Sequence, residues 1–137
     1  MQTRGERNNN PGNIERNNIH WQGIAADQSG DTRFVMFDKP ENGIRALAKI
    51  LLNYQRLHQL ETMAEIIDKW APAGENDTSS YVNAVCADMG VQADAEIDLR
   101  QAPALAAATK AIIKHENGRV IYSDELIAGA VDAALAT

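Results

Sequence analysis

The chain is short of several things, and each shortage removes a class of explanation. It has one cysteine, Cys86, so no disulfide can form within it. Cys86 falls in a helical pattern and reads as a small buried hydrophobe. Positive charge is also scarce: 13 Lys and Arg stand against 19 Asp and Glu, a formal net charge of −6. No basic stripe is available to neutralise phosphates, which argues against nucleic acid as the main partner. No apolar run approaches the length of a membrane span, so no membrane insertion is expected, and the polar N-terminus has no signal-peptide core. His20, His58 and His115 are not spaced as metal ligands and no cysteine cluster assists them, so neither metal nor cofactor is expected. Aromatic residues make up only 5% of the chain, which makes Trp21, Trp70 and Tyr81 worth placing one by one. What remains is 137 residues, 45% of them apolar, enough for one domain with a substantial core.

The chain opens on an unusual stretch, Arg4-Gly5-Glu6-Arg7-Asn8-Asn9-Asn10-Pro11-Gly12-Asn13-Ile14. Asn and Gly tolerate left-handed backbone, Pro fixes its own torsion, and Asn side chains bond locally to the main chain. Such a run makes a loop. Trp21-Gln22-Gly23 follows, and two short strand candidates, Gln22 to Ala26 and Arg33 to Asp38, flank the turn-forming Gln28-Ser29-Gly30-Asp31. A small hairpin is expected there, with Phe34 and Met36 on one side and Val35 and Phe37 on the other. An amide-rich loop beside a tryptophan is a common lining for a carbohydrate cleft. Amides bridge sugar hydroxyls, and the ring stacks on a pyranose face.

Helical patterns fill the rest. Pro40 and Glu41 open a helix whose Ile44, Leu47, Ala48, Leu51 and Tyr54 share one face. Thr62-Met63-Ala64-Glu65 is a capping box opening a short second helix that Pro72 stops. Asp77 or Thr78 caps a third, ended by Gly90. A fourth runs from about Pro103 to about Glu116, and Gly118 terminates it. Ser123 caps the last.

Asn8 to Ile14, Trp21-Gln22-Gly23, Phe34 to Phe37 and Gly43-Ile44-Arg45-Ala46-Leu47 together resemble phage-borne and prophage-borne lysozyme-like proteins. So do Trp70-Ala71-Pro72, Glu75-Asn76-Asp77-Thr78 with Tyr81, and His115-Glu116-Asn117-Gly118. The resemblance covers nearly the whole chain. It implies a single lysozyme-like domain over 1–137, mainly α within the α+β class, with one N-terminal β-hairpin and about five helices. It implies a monomer acting on peptidoglycan glycan strands, cleaving between N-acetylmuramic acid and N-acetylglucosamine. Lytic transglycosylases and virion proteins without activity share the resemblance, and a toxin effector is a further alternative. The implied route is synthesis in a bacterial cytoplasm and release to the wall through a holin or from the virion. In many lysozyme-like enzymes a helix ending in the catalytic Glu precedes an Asn-rich segment. Here that segment opens the chain, and the helix ending in Glu-Asn-Gly is the fourth, as in a circularly permuted order that gives Glu116 the acid's place.

Glycosidic cleavage needs a proton on the leaving oxygen and stabilisation of a cationic transition state. Three glutamates in polar stretches are candidates. Glu6 lies between Arg4 and Arg7, whose cations favour its charge and suit an ion pair. Glu75 precedes a helix start, where the dipole also favours charge, and suits a base or an electrostatic stabiliser. Glu116 ends a helix, where the dipole opposes its charge, the setting a proton donor uses. Asn8, Asn9, Asn10, Asn13, Trp21, Trp70, Asn76, Thr78, Tyr81 and Asn117 are the candidate glycan-binding residues. Each aromatic among them competes with a plain packing role.

Overall fold

A computed structural model describes residues 1–74 and 76–137. Six helices among them hold about half of the chain: α1 (Arg4–Arg7), α2 (Pro40–His58), α3 (Met63–Trp70), α4 (Thr78–Met89), α5 (Ala102–Asn117) and α6 (Asp124–Leu135). Their ends follow local chemistry. Thr62, Asp77 and Ser123 each accept a backbone N–H in the first turn of the helix they cap. Gly90 and Gly118 close α4 and α5 in the left-handed conformation.

Helix α2 is the axis of the core. Ile44, Leu47, Ala48 and Leu51 are fully buried along it, and it packs against α6, α5 and α3. Helix α4 leans on α3 and α5, and α1 touches α5. Burial of each large aliphatic side chain contributes about 1.5–3 kcal/mol. The buried side chains form one continuous cluster that also takes in Ile14, Val35 and Phe37 from the helix-free segment between α1 and α2. No helix among the described residues is long and apolar enough to cross a membrane.

The expected hairpin does not form, and with it the lysozyme-like α+β class is overturned: the described residues contain helices and no strand. Val35 and Phe37 are buried while Phe34 and Met36 are partly exposed, as alternation requires. Yet only single bridges form, Glu15 with Phe34 and Ile24 with Phe37. The reason is that side chains take the ladder's place. Asn10 Nδ2 donates to the carbonyls of Ile14 and Val35, and Asn9 Nδ2 to that of Phe37. Gln28 accepts from Met36 N–H and donates to the Met36 and Ala25 carbonyls. Asp31 accepts from the N–H groups of Arg33 and Phe34. The N–H groups of Arg33, Phe34 and Met36 are thereby spent on side chains, while Val35 N–H and Ala25 N–H still reach the Ile14 and Met36 carbonyls, so pairing stops at single bridges.

Two further contacts lock this segment to the helices. Gly43, in the first turn of α2, lies so close to the Asn9 carbonyl that a Cβ there would stand 1.9 Å from its oxygen. Arg4 forms a bidentate pair with the buried Asp31, which also accepts from Asn8 Nδ2. The opening segment is therefore tied to α2 through Asn9 and to α1 through Asp31.

Candidate functional site

Helix α5 carries Glu116 on its buried face. Leu105, Thr109 and Ile112 are fully buried at steps of four and three, and Glu116 is the next position in that stripe. The stripe runs out of core at this point, so the carboxyl emerges into a cleft of about 360 Å³. The cleft walls come from three places. Gly12 to Glu15 and Asn17, with Arg33 and Phe34, form one; Ile50 and Tyr54 of α2 form the second; Trp70 to Pro72 and Asn76 form the third.

Both oxygens of Glu116 are held. Tyr81, from the first turn of α4, donates its hydroxyl to Oε2 at 2.7 Å. Asn13, from the opening loop, donates Nδ2 to Oε1 at 3.0 Å. Trp70, the last residue of α3, donates its indole N–H to the Tyr81 oxygen at 3.0 Å. His115 stacks on the Tyr81 ring with centroids 3.8 Å apart. Burial first, and then the Glu116 charge, push the Tyr81 phenol far above its ordinary pKa, so it stays a donor.

Asn13 is posed by its surroundings. Its backbone is left-handed, with φ 52°. Asn117, the residue after Glu116, donates to the carbonyls of Pro11 and Ile113 and accepts from Thr3 Oγ1, which ties the loop to the end of α5. Gly5 makes room: a Cβ there would lie 2.8 Å from Asn117 Oδ1 and 3.0 Å from Asn13 Oδ1.

The other expected site residues are placed as follows. Glu6 is almost wholly buried, pairs with Arg119 rather than Arg4 or Arg7, and completes a capping box with Thr3. The Arg119 guanidinium and the Thr3 bonds hold its carboxyl below the usual range. It does not line the cleft. Asn8 and Asn10 are buried, with their amides turned inward onto Asp31 and onto main-chain carbonyls, and Asn9 faces Phe37. Trp21 is half-buried against the core and away from the cleft, while Trp70 lines it. Asn76 lines the cleft, and Thr78, which does not, donates to the carbonyl of the cleft residue Ala71. Glu75 lies outside the described residues.

Sequence reasoning did not single out Glu15, Arg33, Phe34, Ile50 or Tyr54 as cleft residues. Glu15 and Arg33 form an exposed ion pair at 2.6 Å, and the Phe34 ring lies under the guanidinium groups of both Arg4 and Arg33. Tyr54 was legible only as a core position of α2. Its place at the open end of that helix's apolar face is the signal that could have found it. Among the described residues no group of three or more His, Cys, Asp or Glu side chains is placed to hold a metal ion.

The arrangement provides a carboxyl held by two donors from different parts of the chain, in a cleft lined by aromatic rings and amides, with Glu15 paired to Arg33 elsewhere on its lining. A carboxyl held at a helix end by two hydrogen-bond donors and open to a cleft is placed to exchange a proton with a group bound there. No family model matches the chain. Over 130 residues it is 38% identical to protein P5 of Pseudoalteromonas phage PM2, a match that spans 92% of this chain and 79% of that protein.

Proposed function

We propose that this chain, which belongs to the family of protein P5 of Pseudoalteromonas phage PM2, cleaves the glycan strands of peptidoglycan with Glu116 as the proton donor. The observation that carries this reading is the double grip on Glu116 in the cleft. A phage meets a bacterial wall, and the resemblance of the Asn-rich loop and the Glu-Asn-Gly helix end to phage wall-degrading proteins points the same way.

In this reading a strand lies along the cleft with sugar faces on Trp70 and Tyr54 and its polar groups toward Asn76. Glu116 gives its proton to the oxygen between N-acetylmuramic acid and N-acetylglucosamine, and the bond from that oxygen to the anomeric carbon breaks. Tyr81 and Asn13 then stabilise the carboxylate that is left. Water attacks the anomeric carbon and returns a proton to Glu116, so that one water is added across the bond.

One observation favours a second reading, the lytic transglycosylase. Among the described residues Glu15 is the other carboxylate lining the cleft, and Arg33 holds it. A single working carboxyl suits attack by the muramic acid's own 6-hydroxyl in place of water. Digestion of purified cell walls tests the common claim, and mass spectrometry of the products separates the two exits. Reducing-end sugars mark hydrolysis, and anhydro-sugars mark transfer. Intact walls after prolonged incubation with folded protein would overturn both.

A further inference from the structure

We infer that Trp70 and Tyr81 act as one hydrogen-bonded unit that keeps Glu116 Oε2 a fixed acceptor, so that the transferable proton is carried on Oε1. This rests on the reading of Glu116 as the proton donor and assigns the donating atom. Tyr81 and Trp70 are positioning residues, acting on the proton through Glu116.

The direction of the chain follows from what each group can do. An indole N–H only donates, so the Tyr81 oxygen, 3.0 Å from Trp70 Nε1, must accept. A phenol has one hydrogen, and its remaining partner is Glu116 Oε2 at 2.7 Å. The Tyr81 side chain is buried and its ring is fixed under His115, so the hydroxyl stays protonated and aimed at Oε2. Each carboxyl oxygen accepts one donor, so what separates them is the strength of that bond. Oε2 takes the short one from the phenol at 2.7 Å, and Oε1 the longer one from the Asn13 amide at 3.0 Å. A proton weakens the acceptor strength of the oxygen that carries it, and this costs less on Oε1.

The charged and titratable groups around this point come from every neighbouring element. His115 stacks on Tyr81, and Lys114 turns away to Asp88 of α4. Glu15 is paired with Arg33 across the cleft, and Tyr54 of α2 lies under Lys69 of α3. None of these donates to Glu116 in the described hydrogen bonds, which come from Tyr81 and Asn13.

The test is a carbon-13 NMR titration of the full chain labelled at glutamate carboxyls, with Glu116 assigned by its missing signal in Glu116→Gln. Tyr81→Phe keeps the ring and removes the donor. It should move the Glu116 midpoint up by about one pH unit, the size of a charge-assisted hydrogen bond. Trp70→Phe, at the partly exposed cleft wall, should move it up by less. In the double variant it should add nothing beyond Tyr81→Phe, because Trp70 acts only through the phenol. The alkaline limb of wall digestion should move in the same direction. A folded Tyr81→Phe protein with an unmoved midpoint, or a Trp70→Phe shift undiminished in the double variant, would overturn the inference. If the midpoints behave as expected but the wild type leaves walls intact, the hydrogen-bonded unit stands and the glycan-cleaving role falls.

Discussion

Gly43→Ala pits two effects of known sign against each other. In an ordinary helix interior, alanine is favoured over glycine by about 1 kcal/mol. At position 43 the added Cβ would stand 1.9 Å from the Asn9 carbonyl oxygen. That atom is main chain and cannot rotate away, so either α2 or the opening loop must shift. Forcing a methyl into a packed contact costs about 1–3 kcal/mol and occasionally more. The loop is the softer partner, and it carries Asn13 onto Glu116 four residues later. Gly43→Ala should therefore lower stability by a net amount on the order of 1–2 kcal/mol. Wall digestion should fall with it. Gly129→Ala in α6 is the control, because a Cβ there meets nothing within 4 Å. It should gain up to about 1 kcal/mol. Urea unfolding followed by circular dichroism reads both. A Gly43→Ala protein as stabilised as the Gly129→Ala one would refute the close seating of the loop on α2.

Acid should unfold the protein through its opening segment. Glu6 and Asp31 are both held below their ordinary pKa, chiefly by Arg119 and by Arg4. Depressed carboxylates contribute stability that is complete above the unfolded-state values of about 4.3 and about 3.9, and it drains away as pH falls below them. Thermal midpoints measured from pH 7 to pH 2 should hold steady and then drop below about pH 4, and Glu6→Gln should flatten part of that drop while lowering the midpoint at pH 7. An unchanged acid limb in Glu6→Gln would assign the drop elsewhere. The two tryptophans should separate by role: Trp21→Ala should lose mainly thermal stability, since the ring packs on the core, and Trp70→Ala should lose mainly affinity for chitooligosaccharides, read by calorimetry. The reverse pattern would move the glycan surface to the other side of the opening loop.

The helices were legible because their signals are local. Pro40, Thr62, Asp77 and Ser123 mark starts, and Gly90 and Gly118 mark stops, each through a bond or torsion made within a few residues. The short α1 was legible in principle, since Thr3 and Glu6 stand at capping-box spacing, but four residues give no periodicity to find. The segment before α2 was not legible. Alternation correctly separates Val35 and Phe37 from Phe34 and Met36, but Asp31 and Gln28 take the Phe34 and Met36 N–H groups that a hairpin would pair. Such bonds have no period. The site was half legible. Glu116, Asn13, Trp70 and Tyr81 were each chosen from their local setting, but their convergence joins positions up to 103 residues apart. Glu6 shows the converse, because its partner Arg119 leaves no trace in the residues around it.

Glu116→Gln is the most direct test of the central claim. The amide keeps the size of the side chain, can still accept from Tyr81, and has no proton to give. The variant should fold with an unchanged circular dichroism spectrum and digest purified peptidoglycan about 10²–10⁴-fold more slowly than the wild type, the usual worth of a general acid. A folded Glu116→Gln protein that releases muropeptides at the wild-type rate would contradict the account.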